Sequence, residues 1–319
     1  MEDYPRNLSE FDACFGTEED CREYLFQLRW PEGFRCPRCG CRESSPVRTV
    51  LLRCGKCRHQ TSVIAGTIFQ DTRTLLRLWF QAMWWVTTQK NGASALGLQR
   101  VLGLKQYQTA WTWLHKLRSA MVRPGRDLLS GRVEVDETYL GGLEEGLRGR
   151  KTETKALIII AAEEDGSGIG RIRMRHIADA SAQCLHPFVQ ASIAPGSIVH
   201  TDGWVGYSGL DRKGYRHDMT ILKGQKESAS ELLPRVHRVI SLLKRWLMGT
   251  HQGAVSHKHL DYYLDEFTFR FNRRKSASRG KLFYRLAQQA VAVEPAPYDA
   301  IVQQTRRQSE RPKLQVVAW

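Results

Sequence analysis

Two Cys-x-x-Cys pairs, Cys36-Pro-Arg-Cys39 and Cys54-Gly-Lys-Cys57, constrain this chain more than any other feature. Each pair sets two thiolates on one tight turn. Two such turns facing each other complete a tetrahedron of sulfur around a zinc ion. Gly40 and Gly55 let the turns bend with backbone amides toward the sulfurs. A redox role needs one pair only, and an iron–sulfur cluster is the other Cys-ligated alternative. Four ligands close the coordination sphere, so Cys36, Cys39, Cys54 and Cys57 read as a structural Zn2+ site with no open position. Cys41 is a rival by proximity, but it breaks the pair spacing. Cys14, Cys21 and Cys184 read as buried apolar thiols.

Lys and Arg number 48 against 33 Asp and Glu, a formal charge of +15. A surplus of that size calls for a polyanionic partner, and nucleic acid is the commonest one. Hydrophobic residues make up 42% of 319, enough for two or three folded units. The N-terminus has no basic region followed by an apolar core, so it does not read as a secretory signal. No apolar run reaches membrane-spanning length, so no membrane partner is expected. The chain reads as soluble and intracellular.

Residues 8–30 read as a helical entry with Ser9 as a candidate cap. Residues 31–68 suit small β-hairpins. A largely apolar helix is expected over Thr72–Thr88, followed by helices near Ala93–Leu102 and Gln106–Met121. Gly103 and Leu104 between the last two give the form of a helix-turn-helix. On its second helix, Lys105, Gln106, Gln108, Thr109, Thr112 and Lys116 occupy polar positions able to meet bases or phosphates. Trp111, Trp113, Leu114 and Leu117 suit packing. On the ribbon, Arg35, Arg38, Arg42, Lys56, Arg58 and His59 offer a basic surface. After a linker at Arg123–Arg132 the pattern changes. Strands are expected over Val133–Tyr139, Lys155–Ala162 and Gly170–Ile177, then a helix at Ser181–Ala191 and a strand at Ser197–Thr201. Helices over Pro234–Met248 and Ser256–Arg273 follow, with one more near Leu286–Val293 ahead of a basic tail. The order implies a mixed α/β layer fold. The division is 1–70 for the ribbon with its helix, 71–122 for the helical region, 131–285 for the α/β domain, and 286–319 for the C-terminal helix and tail.

Two aspartates stand out in the second half. Asp136 lies in Val133-Glu134-Val135-Asp136-Glu137-Thr138-Tyr139, where an acid is costly to bury without a partner. Asp202 ends Ile198-Val199-His200-Thr201-Asp202. Carboxylates on adjacent strands can share Mg2+ or Mn2+, and such ions serve phosphodiester chemistry. Taken singly, Asp136 reads better as a strand-edge acid and Asp202 as a turn or helix-cap residue; taken together with the charge and the motifs below, they read as metal ligands. Trp204 and Tyr207 could stack on an unpaired base, but core packing is preferred.

Several motifs together resemble a known family. They are Arg29-Trp30-Pro31 with the Cys pairs, Val135-Asp136-Glu137-Thr138-Tyr139-Leu140-Gly141-Gly142, and His200-Thr201-Asp202-Gly203-Trp204. To these add Leu242-Leu243-Lys244-Arg245, and Tyr263-Leu264-Asp265-Glu266-Phe267 leading into Arg270-Phe271-Asn272-Arg273-Arg274. From about Phe11 to about Arg285 the chain is similar to insertion-sequence transposases that begin with a zinc ribbon and carry an ISXO-like DDE domain. The resemblance implies a ribonuclease-H-like mixed sheet with flanking helices, two-metal strand cleavage and joining, and end-specific DNA binding. It implies double-stranded DNA (transposon ends and target) as partner, a homo-oligomer on DNA, and a prokaryotic cytoplasm with nucleoid association.

By position, Asp136 and Asp202 match the family's first two catalytic carboxylates. The third acid usually stands on a helix seven residues before a Lys. Lys244 matches that Lys, and the residue seven before it is His237. The pair share a helix face. Asp202 and His237 are 35 positions apart, near the family's spacing, so the departure is in residue type and not in register. A neutral imidazole can ligate a divalent ion, and as a softer, uncharged ligand it favours Mn2+ over Mg2+. Glu227 or Glu231 as third ligand, and a decayed copy that binds without cutting, remain alternatives, as does a ribonuclease or repair nuclease on the same core. Lys244 and Arg245 are expected near DNA phosphates. Arg273 and Arg274, with Arg270 and Lys275, form a basic helix end that suits both DNA and the helix dipole. Glu137 is expected on the opposite strand face in a structural salt bridge.

Overall fold

The structure, a computed structural model, describes residues 4–123, 125–141, 155–220, 229–253 and 255–303. These fall into two compact units. The first joins the chain up to Arg123 with residues from Lys275 onward, and the second spans Gly125–Arg274. Gly142, Glu227 and the basic tail beyond Gln303 lie outside the described residues.

In the first unit, α1 (Leu8–Cys14) and α2 (Glu18–Arg29) replace the single entry helix expected from sequence. Phe15-Gly16-Thr17 breaks the helix because Thr17 starts a new one, in a reciprocal capping box with Asp20. Asn7, not Ser9, caps α1 through its side chain. The ribbon follows as β1 (Ser44–Arg48), β2 (Leu51–Cys54) and β3 (Gln60–Thr61), antiparallel in that order. Arg29 holds this ribbon by donating to Ser62 O and Val63 O at 2.9 and 2.8 Å. Next come α3 (Leu76–Thr88), α4 (Ala95–Leu102) and α5 (Tyr107–Ala120). Gly103 ends α4 at φ 62°, the left-handed cap that lets α5 turn away. Trp79 stacks on Trp113 at 4.1 Å, which joins α3 to α5.

The helix α3 starts at Leu76 behind Leu75, a residue with no capping side chain. Glu18 of α2 supplies the cap instead, accepting from Leu76 N and Arg77 N at 2.9 and 3.2 Å. A carboxylate there also suits the positive end of the helix dipole. Residues 275–285, grouped by sequence with the second half, lie in the first unit. The reason is Phe283 of α10 (Arg279–Ala292), whose ring meets Phe11, Phe15, Tyr24, Phe80 and Trp84 at 5.5–6.3 Å. Gly280 lies so close to the Pro5 carbonyl that a β-carbon has no room. A short α11 (Tyr298–Gln303), absent from the sequence reading, follows.

The second unit is a mixed sheet with helices on both faces. Its strands are β4 (Arg132–Leu140), β5 (Ala156–Asp165), β6 (Gly168–Ile177), β7 (Ile198–Asp202) and β8 (Arg216–Thr220), in the order β6-β5-β4-β7-β8. The pairs β4–β5 and β5–β6 are antiparallel, while β4–β7 and β7–β8 are parallel. This is the ribonuclease-H-like mixed sheet anticipated above. Alternation sorts the side chains. Val133, Val135, Ile159 and Val199 pack beneath α6 (Ala182–Ser192). Ile158, Ile160, Ile172 and Met174 pack beneath α8 (Pro234–His251) and α9 (Leu260–Asn272), with a four-residue α7 (Ala229–Leu232) ahead of them. Strand β5 is buried on both faces from Ala156 to Ala162, as its unbroken apolar run requires.

Strand β8 was not legible in the sequence, because Arg216-His217-Asp218-Met219-Thr220 has no apolar alternation. It is an edge strand and needs none. It is held by parallel pairing and by side chains across β7: His200 Nε2 lies 2.7 Å from Thr220 Oγ1, and Thr201 Oγ1 lies 2.9 Å from His217 Nε2. Asn272 at the end of α9 pairs with Ile172 of β6, donating to its carbonyl and accepting from its amide at 3.2 and 2.7 Å.

Burial holds His200, His217 and His176 below the ordinary imidazole value. Their charged forms are disfavoured in the fold, so the unfolded chain binds protons more readily. The stability they contribute is full above the unfolded value of about 6.5 and is lost as the pH falls through it toward the folded values. Thermal unfolding at about pH 5.5 should therefore give a lower Tm than at about pH 7.5. The His200→Gln/His217→Gln double variant should show a shallower dependence, and an unchanged slope in that variant would contradict this account.

Candidate active site

The four ribbon cysteines converge. One sulfur from each of Cys36, Cys39, Cys54 and Cys57 lies within 4.8 Å of the others. The cross-knuckle distances are 3.6 Å for Cys36–Cys57 and 3.5 Å for Cys39–Cys54. A tetrahedron with Zn–S bonds of about 2.3 Å has edges of about 3.8 Å, so the cluster fits one zinc ion with little adjustment. The amides of Cys57 and Lys56 point at the Cys54 thiol and draw it down to about 6, favouring the thiolate a metal needs. Cys41 stays outside the cluster and serves it through its carbonyl, which accepts from Cys36 N at 2.9 Å. Cys21 is fully buried, and burial pushes its thiol up to about 12. Cys14 is exposed, contrary to the expectation of a buried thiol. It ends a seven-residue helix whose inward position is taken by Phe11.

In the second unit, the parallel pairing of β4 and β7 sets Arg132 beside Ile198, Val133 beside Val199 and Glu134 beside His200. Asp136 and Asp202 each stand two residues beyond the last of these pairs, toward the same end of the sheet. Both acids share the sheet face covered by α8, since Asp136 pairs with the inward-facing Ile160 of that layer. Each carboxylate is steadied by a local amide: Glu137 N donates to Asp136 Oδ1 at 2.8 Å, and Trp204 N to Asp202 Oδ1 at 3.0 Å. The other Asp136 oxygen, Oδ2, faces His237 Nε2 on α8 at 3.5 Å. Burial holds the His237 imidazole below its ordinary value; the charges of Glu134 and Asp202 oppose that shift and Lys244 adds to it. The charges of Asp202 and Lys244 thus both reach His237, and the lowered imidazole favours its neutral form, the form that ligates a metal. Two carboxylates and a neutral imidazole nitrogen on facing elements suit a divalent cation.

Another acid, not singled out from sequence, lies beside this geometry. Glu134 is 2% exposed and sits two residues before Asp136 on the same face. Its Oε2 accepts from Arg235 N and Val236 N at 2.7 and 2.9 Å, and its Oε1 from the Arg235 guanidinium at 3.0 Å. Arg235 continues to Glu164 at 2.7 Å. Glu164 lies 3.7 Å from Arg132, which bonds Asp218 at 2.6 Å. The signal was present: a carboxylate in the otherwise apolar start of a strand is costly without a partner.

Other residues fall as follows. Glu137 does face away from the site, and its Oε2 accepts from the Tyr207 hydroxyl at 2.6 Å. Burial keeps that phenol protonated and donating. Tyr207 is fully buried and Trp204 donates to Ala180 O at 2.7 Å, so both serve the core. Glu231 is exposed. Lys244 and Arg245 are exposed on α8, with Lys244 two turns along from His237. Arg273 lies over the Phe269 ring at 4.1 Å. Arg274 lies over Phe271 at 4.0 Å and donates to Gly170 O and Ile169 O. These two side chains therefore make intramolecular contacts on the second unit. In the first unit, Lys105, Gln106 and Gln108 are exposed, while Thr109 and Lys116 are half-buried. A groove of about 610 Å³ runs past Gln106, Gln108, Thr109, Thr112 and Lys116. Gln108 meets the Tyr298 hydroxyl of α11 at its rim.

Comparison with known proteins agrees with this arrangement. Residues 16–60 match the family described as a transposase zinc-ribbon domain, and residues 128–272 match the ISXO2-like transposase domain. The chain is also 27% identical over 282 residues to a protein of Halobacterium salinarum described as an uncharacterized protein in transposable element ISH50. That match covers 80% of this chain and 91% of the other. No helix among the described residues is long and apolar enough to cross a membrane. A four-sulfur ribbon and a five-stranded mixed sheet thus stand where the two matches fall, and the chain carries a transposase zinc-ribbon domain followed by an ISXO2-like transposase domain.

Proposed function

We propose that this protein binds the terminal inverted repeats of its element and catalyses metal-dependent DNA cleavage and strand transfer, with Asp136, Asp202 and His237 holding the divalent ions. The observation that carries this reading is the approach of His237 Nε2 to Asp136 Oδ2 at 3.5 Å, on the face where the strand register also places Asp202. Divalent ions held by these three residues would supply activation of a water or a DNA 3′-hydroxyl and stabilisation of the leaving oxygen. The chain itself does the positioning. The amides of Glu137 and Trp204 fix one oxygen of each aspartate, leaving the carboxylate planes set by the sheet. Burial keeps the His237 imidazole neutral and able to ligate. Lys244, exposed beside this face, is placed to hold a phosphate of the transposon end. The ribbon and the α4–α5 pair are proposed to bind the end sequence, and two or more chains to bring the ends together. A cytoplasmic, nucleoid-associated location follows from such a substrate.

Three measurements test these assignments. Purified protein incubated with an inverted-repeat oligonucleotide should form strand-transfer product in Mn2+ and less in Mg2+, because an imidazole is a softer and uncharged ligand. Asp136→Asn and Asp202→Asn should each reduce product to background while leaving end binding intact. His237→Ala should lose activity, and His237→Glu should raise the Mg2+-to-Mn2+ activity ratio. Full activity in His237→Ala would overturn the third-ligand assignment. End binding with no product under any metal would favour a repurposed DNA-binding protein.

The ribbon is tested separately. The purified chain should contain one zinc per molecule, and Cys54→Ser should lose it together with amide protection across residues 36–61, because the metal supplies much of the folding free energy of such a module. An equally protected ribbon without metal would refute the structural zinc.

A further inference from the structure

We infer that Glu134 is a positioning residue for the proposed metal site: its buried carboxylate caps the first turn of α8 and thereby sets His237 opposite Asp136. The inference rests on the reading of Asp136 and His237 as ligands given above.

Three observations lead to it. First, α8 has no cap of its own. Leu233 precedes it with no capping side chain, and Pro234 opens it, which leaves Arg235 N and Val236 N among the amides without a helical partner. Second, Glu134 satisfies both amides with one oxygen and the Arg235 guanidinium with the other. An ionised acceptor at a helix start bonds strongly and meets the positive end of the dipole. Third, the two ends of this tie sit next to the site. Glu134 is two residues from Asp136 on one strand face, about 7 Å along the strand, and Val236 immediately precedes His237. A short rigid loop of contacts therefore runs from Asp136 through Glu134 and the start of α8 to His237 Nε2, and back to Asp136 Oδ2. Without the cap, the first turn is free to fray, and His237 lies in that turn.

Glu164 provides the contrast. It also bonds Arg235, at 2.7 Å, but through the guanidinium, and among the described residues it meets no backbone amide of α8. The Glu134 charge also acts on the His237 imidazole, so charge is separated from positioning by Glu134→Asp, which keeps the charge, and by the double variant with His237→Ala.

The test is direct Mn2+ binding to the full-length protein, followed by the electron paramagnetic resonance of free Mn2+ and normalised to the folded fraction. Glu134→Gln should weaken binding by about tenfold to a hundredfold, the range for residues that orient a ligand, and Glu164→Gln should leave it unchanged. The double variant Glu134→Gln/His237→Ala should bind no more weakly than His237→Ala alone, because Glu134 acts through His237. An unchanged affinity in Glu134→Gln, an equal loss in Glu164→Gln, or fully additive losses in the double variant would each overturn the inference. Should Glu134→Gln not fold, Glu134→Asp carries the same test. It keeps the charge but draws the carboxylate back from the two amides, and the same direction of change is expected. An unaltered affinity in His237→Ala would instead defeat the ligand reading itself, which separates the two failures.

Discussion

The parallel pairing of β4 with β7 is the constraint on which the second unit depends. Parallel neighbours cannot be joined by a tight turn, so the chain must leave the sheet and return. Here it leaves through β5 and β6 and comes back by way of α6. The excursion makes neighbours of the two strands that carry Asp136 and Asp202, although the two acids are 66 positions apart. It also commits both faces of the sheet to helices, because β5, buried on each side, requires cover. The paired carboxylates then lie on the face that α8 must cover, and the helix that completes the layer also brings the third polar group.

Acidic residues recur in this molecule as caps supplied from another element. Glu18 of α2 closes the start of α3, and Glu134 of β4 closes the start of α8. In both cases the residue before the helix is a leucine without a capping side chain. Such an arrangement costs the desolvation of a carboxylate, which the amides and a guanidinium offset. In return it ties the helix start to a particular partner rather than to the preceding loop. For α8 the tie reaches a strand that carries a proposed metal ligand. Structure and site therefore share one side-chain network, from Asp218 through Arg132, Glu164 and Arg235 to Glu134.

Legibility in the sequence followed the range of the interactions involved. Helices α3 to α5 and strands β4 to β7 carry clear apolar periods, and each lies within a few residues of its expected place. The edge strand β8 carries none, because its partners are polar side chains on β7. Arg273 and Arg274 look like a basic helix end in one dimension. In three dimensions they lie over Phe269 and Phe271, with Arg274 also at the carbonyls of β6. Glu137 was rightly separated from the site by strand alternation, yet its partner, Tyr207, stands 70 positions away and could not be named from sequence.

The zinc ribbon was determined by the sequence alone. Its four sulfurs come from 22 consecutive residues, two tight turns create their geometry, and the short span leaves the chain few other ways to arrange them. The likeness of residues 128–272 to a transposase domain was also readable, from the motifs around Asp136, Asp202 and Lys244. Only the tertiary structure decided that His237 meets Asp136 and that Glu134 holds the helix on which His237 stands. Both contacts bridge about a hundred residues. Neither has a local pattern to announce it, because each depends on where a strand and a distant helix come to rest against each other.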